Sequence, residues 1–169
     1  MLQDRLRALL PGARGSAAWI RRSWELASSV PGGRKIYNRF LGAAIPYTGS
    51  IGAEVLSLED GFALVRMRDH RFVRNHLGSV HAIALCNLAE LTGNAALASA
   101  LPDDARFIVT RLDMRYLKKA RGAITASCHT QPSFTSERQE VPLSVELHDE
   151  DGVLVARADL YSLIGPLKS

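Results

Sequence analysis

The sequence predicts an antiparallel α+β domain in which a curved sheet of five or six strands wraps round one long apolar helix. Three observations carry this expectation. Residues 82–100 read as a helix whose Ala, Leu, Ile and Val side chains fill most of its circumference, so it has no broad polar face to offer water. Its small residues, among them Ala84, Ala89, Gly93, Ala95 and Ala96, let other backbone approach from several sides, as a surrounding sheet would. Strand candidates flank it, two before and four after, joined by short polar connections, and that order of elements is antiparallel α+β.

Residues 1–16 carry Arg5, Arg7 and Arg14 among Leu and Ala, broken by Pro11-Gly12. An Arg-rich, acid-poor start of this kind occurs in transit peptides, but it lacks the continuous apolar core of a secretory signal. A short amphipathic terminal helix in a cytoplasmic protein is the favoured expectation. Residues 17–30 put Trp19, Ile20 and Trp24 on one helical stripe, and Pro31-Gly32-Gly33 ends that helix. A second short helix over 35–43 carries Ile36, Tyr37, Phe40 and Leu41; these aromatics are expected to cover a sheet edge or an oligomer contact. Residues 1–45 thus read as an N-terminal helical extension and residues 46–169 as the sheet-and-helix domain.

Strand signals over 50–58 and 62–68 flank Glu59-Asp60-Gly61, a hairpin-turn signature. Ala63, Val65 and Met67 alternate with Phe62, Leu64 and Arg66, the period of a half-buried strand. After the helix, Pro102-Asp103-Asp104 makes a turn, and strands are expected over 106–117, 123–130, 141–149 and 153–163. Asp149-Glu150-Asp151-Gly152 is a second hairpin turn, and the basic run Lys118-Lys119-Ala120-Arg121-Gly122 is expected at a hairpin between two strands.

A chain of 169 residues with 47% hydrophobic content suits one domain with a real core. No apolar run reaches membrane-spanning length. The net charge of +4 is spread along the chain, aromatics are only 7%, and no nucleic-acid motif is present, so the modest basic excess better suits a phosphate-bearing ligand. Cys86 and Cys128 lie far apart without CxxC or His-rich spacing, which points to a reduced, cytoplasmic protein and to neither a metal nor a cofactor.

Asn87, Glu90 and Asn94 interrupt the long helix at i, i+3 and i+7, a single narrow stripe. A carboxylate in so apolar a helix is either satisfied by neighbouring Asn or Arg side chains or by solvent, or it stands at a wet cleft where it does chemistry. Ahead of it, Ser79 is the expected N-cap and Gly78 allows a tight entry turn. The first-turn amides near residues 80–83 are then unpaired donors suited to a developing oxyanion.

At these residues Asn75-x5-His81-x8-Glu90, with Leu88-Ala89 before the acid, resembles the hot-dog-fold acyl-CoA thioesterases of the phenylacetate type, whose pattern is Asn, a short loop, His-Gly-Gly and then an Asp. The run His81–Glu90 is more similar still to a related hot-dog family often labelled tetrameric acyl-CoA thioesterase and otherwise of unknown function. The resemblance covers roughly residues 35–165, most specifically Asn75–Gly93 and Asp113–Gly122. It departs in two places: His-Gly-Gly reads His81-Ala82-Ile83, and the acid is Glu90.

The resemblance implies a hot-dog fold and hydrolysis of an acyl thioester carried on coenzyme A or on an acyl carrier protein. Helix-start amides, with Ala82 the best match, would polarise the carbonyl, Asn75 would help hold the carbonyl or the water, and Glu90 from the facing subunit would activate water or attack directly. His81, chiefly a support of the turn, and Asn87 are counted with the substrate-binding residues. Lys118, Lys119 and Arg121 are expected to meet the nucleotide phosphates of coenzyme A. A homodimer or homotetramer follows, because one helix cannot aim its start and its acid at one atom. Two alternatives stay open. One is a 3-hydroxyacyl thioester dehydratase or hydratase using His76 and Glu90, fourteen residues apart as in hot-dog dehydratases, although most of the dehydratase motif is absent. The other is a non-catalytic acyl-CoA-binding module, favoured by the loss of both glycines at Ala82-Ile83.

Overall fold

The computed structural model describes residues 17–131 and 134–167. The basic segment 1–16, with its transit-peptide and terminal-helix readings, lies outside the described residues. Among the described residues three helices come first, α1 (Ala18–Ser28), α2 (Gly33–Ala44) and the single turn α3 (Pro46–Gly49). The hairpin β1 (Ala53–Glu59) and β2 (Phe62–Met67) leads through a 3-10 turn at Arg71–Val73 to the long helix α4 (Ala82–Ala100). Strands β3 (Ala105–Tyr116), β4 (Ile124–His129), β5 (Gln139–His148) and β6 (Leu154–Pro166) complete the chain.

All strand pairs are antiparallel and form one curved six-stranded sheet in the order β1-β2-β4-β5-β6-β3. The sheet wraps α4, which is buried over most of its length. This is the hot-dog arrangement. Alternation puts Ala63, Val65 and Met67 of β2, and Ile124, Ala126 and Cys128 of β4, against the helix with almost no exposure. Glycine 93 marks the closest approach, since a Cβ there would lie 3.1 Å from Leu160 Cδ2 and 3.4 Å from Val145 Cγ2. The small-residue composition of α4 is therefore a packing requirement: larger side chains would push β5 and β6 away.

The structure corrects three local expectations. Strand β1 begins at Ala53 instead of residue 50, because Ser50 and Gly52 continue the turn of α3, their amides donating to Tyr47 O and Gly49 O at 3.1 Å each. Gly52 then reverses the chain at φ +61°, a backbone angle that costs glycine little. Residues 118–122 are not a hairpin. Strand β3 pairs only with β6, at the far edge, while β4 lies between β2 and β5, so the basic segment is a crossover carrying the chain back across the sheet. The third concerns the cap of α4, described below.

The N-terminal helices share the core of the sheet domain: Trp19, Trp24, Tyr37 and Leu41 belong to the same buried cluster as Leu88 and Leu97 of α4. Trp24 meets Tyr37 edge to face with ring centroids 5.1 Å apart. Helix α2 also covers the edge of β1. Asn38 Oδ1 accepts the Val55 amide at 2.7 Å and Asn38 Nδ2 donates to Val55 O at 3.3 Å, so one side chain takes the place of a neighbouring strand. Among the described residues, no helix is long and apolar enough to cross a membrane.

Candidate active site

The loop entering α4 is organised by Asn75. Its Oδ1 accepts the amides of Leu77 (2.9 Å) and Ser79 (3.2 Å), and its Nδ2 donates to Ser79 Oγ at 3.0 Å. The Asn75 amide donates to Ser79 O at 2.8 Å, and Gly78 turns the chain at φ +69°. This is what an Asn at the start of a tight loop does well, since its short amide reaches backbone two to four residues on. His76 and Leu77 stand exposed at the tip. Val80 donates to Ala120 O at 2.9 Å and His81 to Val73 O at 2.7 Å, so the loop is tied to the basic crossover on one side and to its own approach on the other.

The helix is capped by His81, not by Ser79 as the sequence suggests. Ser79 is buried and engaged with Asn75, whereas His81 has extended backbone (φ −67°, ψ 138°) and its Nδ1 accepts the Ile83 amide at 3.1 Å. A histidine ring can do this only through an unprotonated Nδ1, which leaves the proton of the neutral ring on Nε2. Leu85 donates to His81 O. The amides of Ala82 and Ala84 have no partner among the described residues, and they carry the partial positive charge of the helix start.

The polar stripe of α4 divides. Glu90 is exposed and has neither a hydrogen bond nor an ion pair among the described residues. Its carboxylate therefore escapes the desolvation cost that the apolar helix suggested. Asn87 lies about 60° further round the helix at 100° per residue; it is buried, and its Nδ2 donates to Tyr47 O at 3.0 Å, fastening α3 to α4. Asn94, a turn beyond Glu90, is half-buried and its Oδ1 is buried without a partner. The open face of α4 thus runs from Ala82 and Ile83 through Cys86 to Glu90 and Asn94. Along the axis, Glu90 lies about 12 Å from the Ala82 amide at 1.5 Å per residue.

Two groups on this face were not singled out from the sequence. Tyr116, at the end of β3, donates from its hydroxyl to Ala82 O at 3.2 Å and lies 3.1 Å from Cys86 Sγ. Cys86 is four residues from both Ala82 and Glu90, so helical spacing alone could have placed it on the face; Tyr116 arrives only through tertiary folding. Tyr116 is 49% exposed, yet partial burial of its hydroxyl, and then the contact with Cys86, push the phenol up to about 12. The folded value lies above the ordinary 10.0, so the stability tied to the neutral phenol is complete below pH 10 and is lost as pH rises through about 12. In a tyrosinate absorbance titration, the wild-type curve minus that of Tyr116→Phe should show a step near pH 12. A step near pH 10 would mean that the phenol stands free in water.

Lys118, Lys119 and Arg121 are all exposed and have no acidic partner among the described residues. The segment is held by its backbone: Leu117 and Lys118 donate to Val155 O at 2.9 and 3.1 Å, and Ala120 is buried beside Val80. The structure therefore brings Asn75, His81, the Ala82 amide and the basic crossover into one neighbourhood, with Glu90 two turns away on the same helix. No group of three or more His, Cys, Asp or Glu side chains comes together among the described residues.

Residues 33–164 match a sequence family described as a domain of unknown function, DUF4442. No curated protein matches the chain. Many solved structures share the fold. A structural-genomics protein is 27% identical, with a TM-score of 0.77 over 88% of this chain and 99% of its own. A protein of unknown function from Pseudomonas aeruginosa, described as a probable thioesterase, is 24% identical with a TM-score of 0.70 over 81% of this chain and 97% of its own. A thioesterase from Haemophilus influenzae is 15% identical with a TM-score of 0.69 over 80% of this chain and 92% of its own.

Proposed function

The chain belongs to the DUF4442 family, here with a hot-dog fold, and from that premise we propose that it hydrolyses an acyl thioester, with coenzyme A as the carrier. The observation that carries the reading is Glu90, a carboxylate without a partner among the described residues, on the same open helix face as Ala82, whose first-turn amide is likewise unpaired among them. A carboxylate and a pair of oriented N–H donors are the two groups that acyl transfer to water requires. The fold shared with proteins described as thioesterases supports the same reading.

In the proposed reaction the Ala82 amide donates to the thioester oxygen as negative charge develops there. Glu90 takes a proton from water, the water oxygen attacks the carbonyl carbon, and the C–S bond breaks. The proton then passes from Glu90 to the departing thiolate, leaving carboxylic acid and free thiol. Attack by Glu90 itself, through a mixed anhydride, gives the same products; oxygen-18 from solvent entering the carboxylate in a single turnover distinguishes that route. The second proton on Asn75 Nδ2 has no partner among the described residues and would face the substrate, and Lys118, Lys119 and Arg121 would meet the phosphates of coenzyme A.

Because about 12 Å separates the Ala82 amide from Glu90 on one helix, the proposal requires a second copy, with Glu90 of the partner subunit facing the first copy's Ala82. Strand β3 suits that assembly: it is an unpaired sheet edge of twelve residues, with Ile108 66% exposed on it. A homodimer formed there, or a homotetramer built from two, should appear in sedimentation at micromolar concentration; a fully active monomer would end this part of the proposal.

A second reading, a binding module without turnover, has its own support. The Asn75 oxygen is wholly engaged in its loop and the Ile83 amide is taken by His81, which leaves few donors for an oxyanion. A panel of acyl-CoAs of different chain length, assayed by thiol release, tests both. Turnover on one chain class is expected; tight binding with no thiol released across the panel would favour the binding module.

A further inference from the structure

Most arginines of the sheet domain face a carboxylate: Arg74 with Asp69 at 2.7 Å, Arg111 with Asp113 at 2.7 Å, Arg115 with Asp159 at 3.2 Å. Helix α2 breaks this pattern. Arg34 and Lys35 occupy its first turn, where the helix dipole is positive and cations are unfavourable. Arg39 follows Lys35 at i+4, a like-charge pair on one face, and α2 contains no acidic residue at all. Neither Lys35 nor Arg39 has a partner among the described residues. These placements cost the helix stability, and the Lys35 and Arg39 side chains offset none of that cost with a contact among the described residues.

The cations line a cleft of about 760 Å³ between α2 and the edge of β1. Arg68, from just beyond β2, adds a fourth, and the one acidic group of the lining, Glu54, is already paired with it at 3.1 Å. The walls are tied together by side chains. Asn38 holds α2 to Val55, Arg34 donates to Leu56 O at 3.3 Å, and its guanidinium lies 5.5 Å from the Trp24 ring centroid. Gly42 and Gly49 pack backbone to backbone at the floor, where a Cβ on Gly49 would clash with Gly42 O. Cations converging from two separate segments on a built cleft, with the local acid neutralised, call for several negative charges on one small molecule.

We propose that this cleft binds a soluble anion bearing two or more phosphate groups, at a site separate from the Ala82–Glu90 face. The proposal does not depend on thioester hydrolysis. The probe is inorganic tripolyphosphate, titrated calorimetrically into the full chain at low ionic strength, where screening is weak. Saturable binding of one equivalent is expected. The double variant Lys35→Glu/Arg39→Glu should weaken it by roughly tenfold or more without lowering the melting temperature, because both side chains are exposed and a first-turn Glu suits the helix dipole. Lys118→Glu/Lys119→Glu should leave it intact. Affinity that survives the first double variant and is lost in the second would overturn the proposal, as would the absence of saturation, or binding to phosphatidylglycerol vesicles without binding to tripolyphosphate. Failure here would leave thiol release from acyl-CoA unaffected, and failure of thiol release would leave this titration unaffected.

Discussion

Replacing Glu90 by Gln is expected to cut the rate of thiol release by roughly 10²–10⁴-fold, the usual cost of removing a general base. Glutamine keeps the shape and the hydrogen-bonding reach but cannot accept the proton. Acyl-CoA affinity should change far less. Stability should hardly move, within about 0.5 kcal/mol, since Glu90 is exposed and makes no contact that glutamine would break among the described residues. The same chain's Glu90→Asp should keep partial activity, because the charge remains but the carboxylate retreats by one methylene. A Gln variant with wild-type turnover would end the proposed mechanism while leaving the fold untouched.

The largest effect on stability is expected from Leu97→Ala. Leu97 has no exposed surface and sits in α4 within the sheet's curve. Truncation removes its transfer free energy and leaves a cavity that β-sheet walls close only in part, for a loss of about 2–5 kcal/mol. Set against a total of about 5–15 kcal/mol for a typical domain, that is a large share. A fall in the urea midpoint with an unchanged slope would show it. A loss below about 1 kcal/mol, less than deletion of one well-packed side chain normally costs, would mean that α4 is not enclosed as described. Turnover per folded molecule should survive, since Leu97 lies well beyond the helix start and Glu90.

Much of the fold is legible in the residues because its signals are local. The helix over 82–100 follows from continuous apolar and small side chains, and the observed element has those bounds. The turns at Glu59–Gly61 and Asp149–Gly152 sit between strands that do pair. The alternation of Ala63, Val65 and Met67 is the alternation of burial. In each case the information lies within a few residues, in side-chain period and in turn chemistry.

The sequence by itself determined the fold class and the central helix, and it named Asn75, His81 and Glu90 as candidates. Only the tertiary structure decided how these parts meet. Strand β3 could have paired with its neighbour β4 across a tight basic turn; it lies at the far edge instead, beside β6 over eleven pairs from Ala105–Pro166 to Tyr116–Ala156. That choice carries Tyr116 to Cys86 and Ala82, and Ala120 to Val80. Ser79 has the chemistry of a cap, but Asn75 engages it and His81 accepts the Ile83 amide in its place. Asn87 and Glu90 shared a stripe, yet the packing of α3 buried one and left the other in solvent. Pairing partners, competing caps and the covered side of a helix depend on contacts between residues distant in the chain, and those free energies arise only when separate segments exclude water from one another.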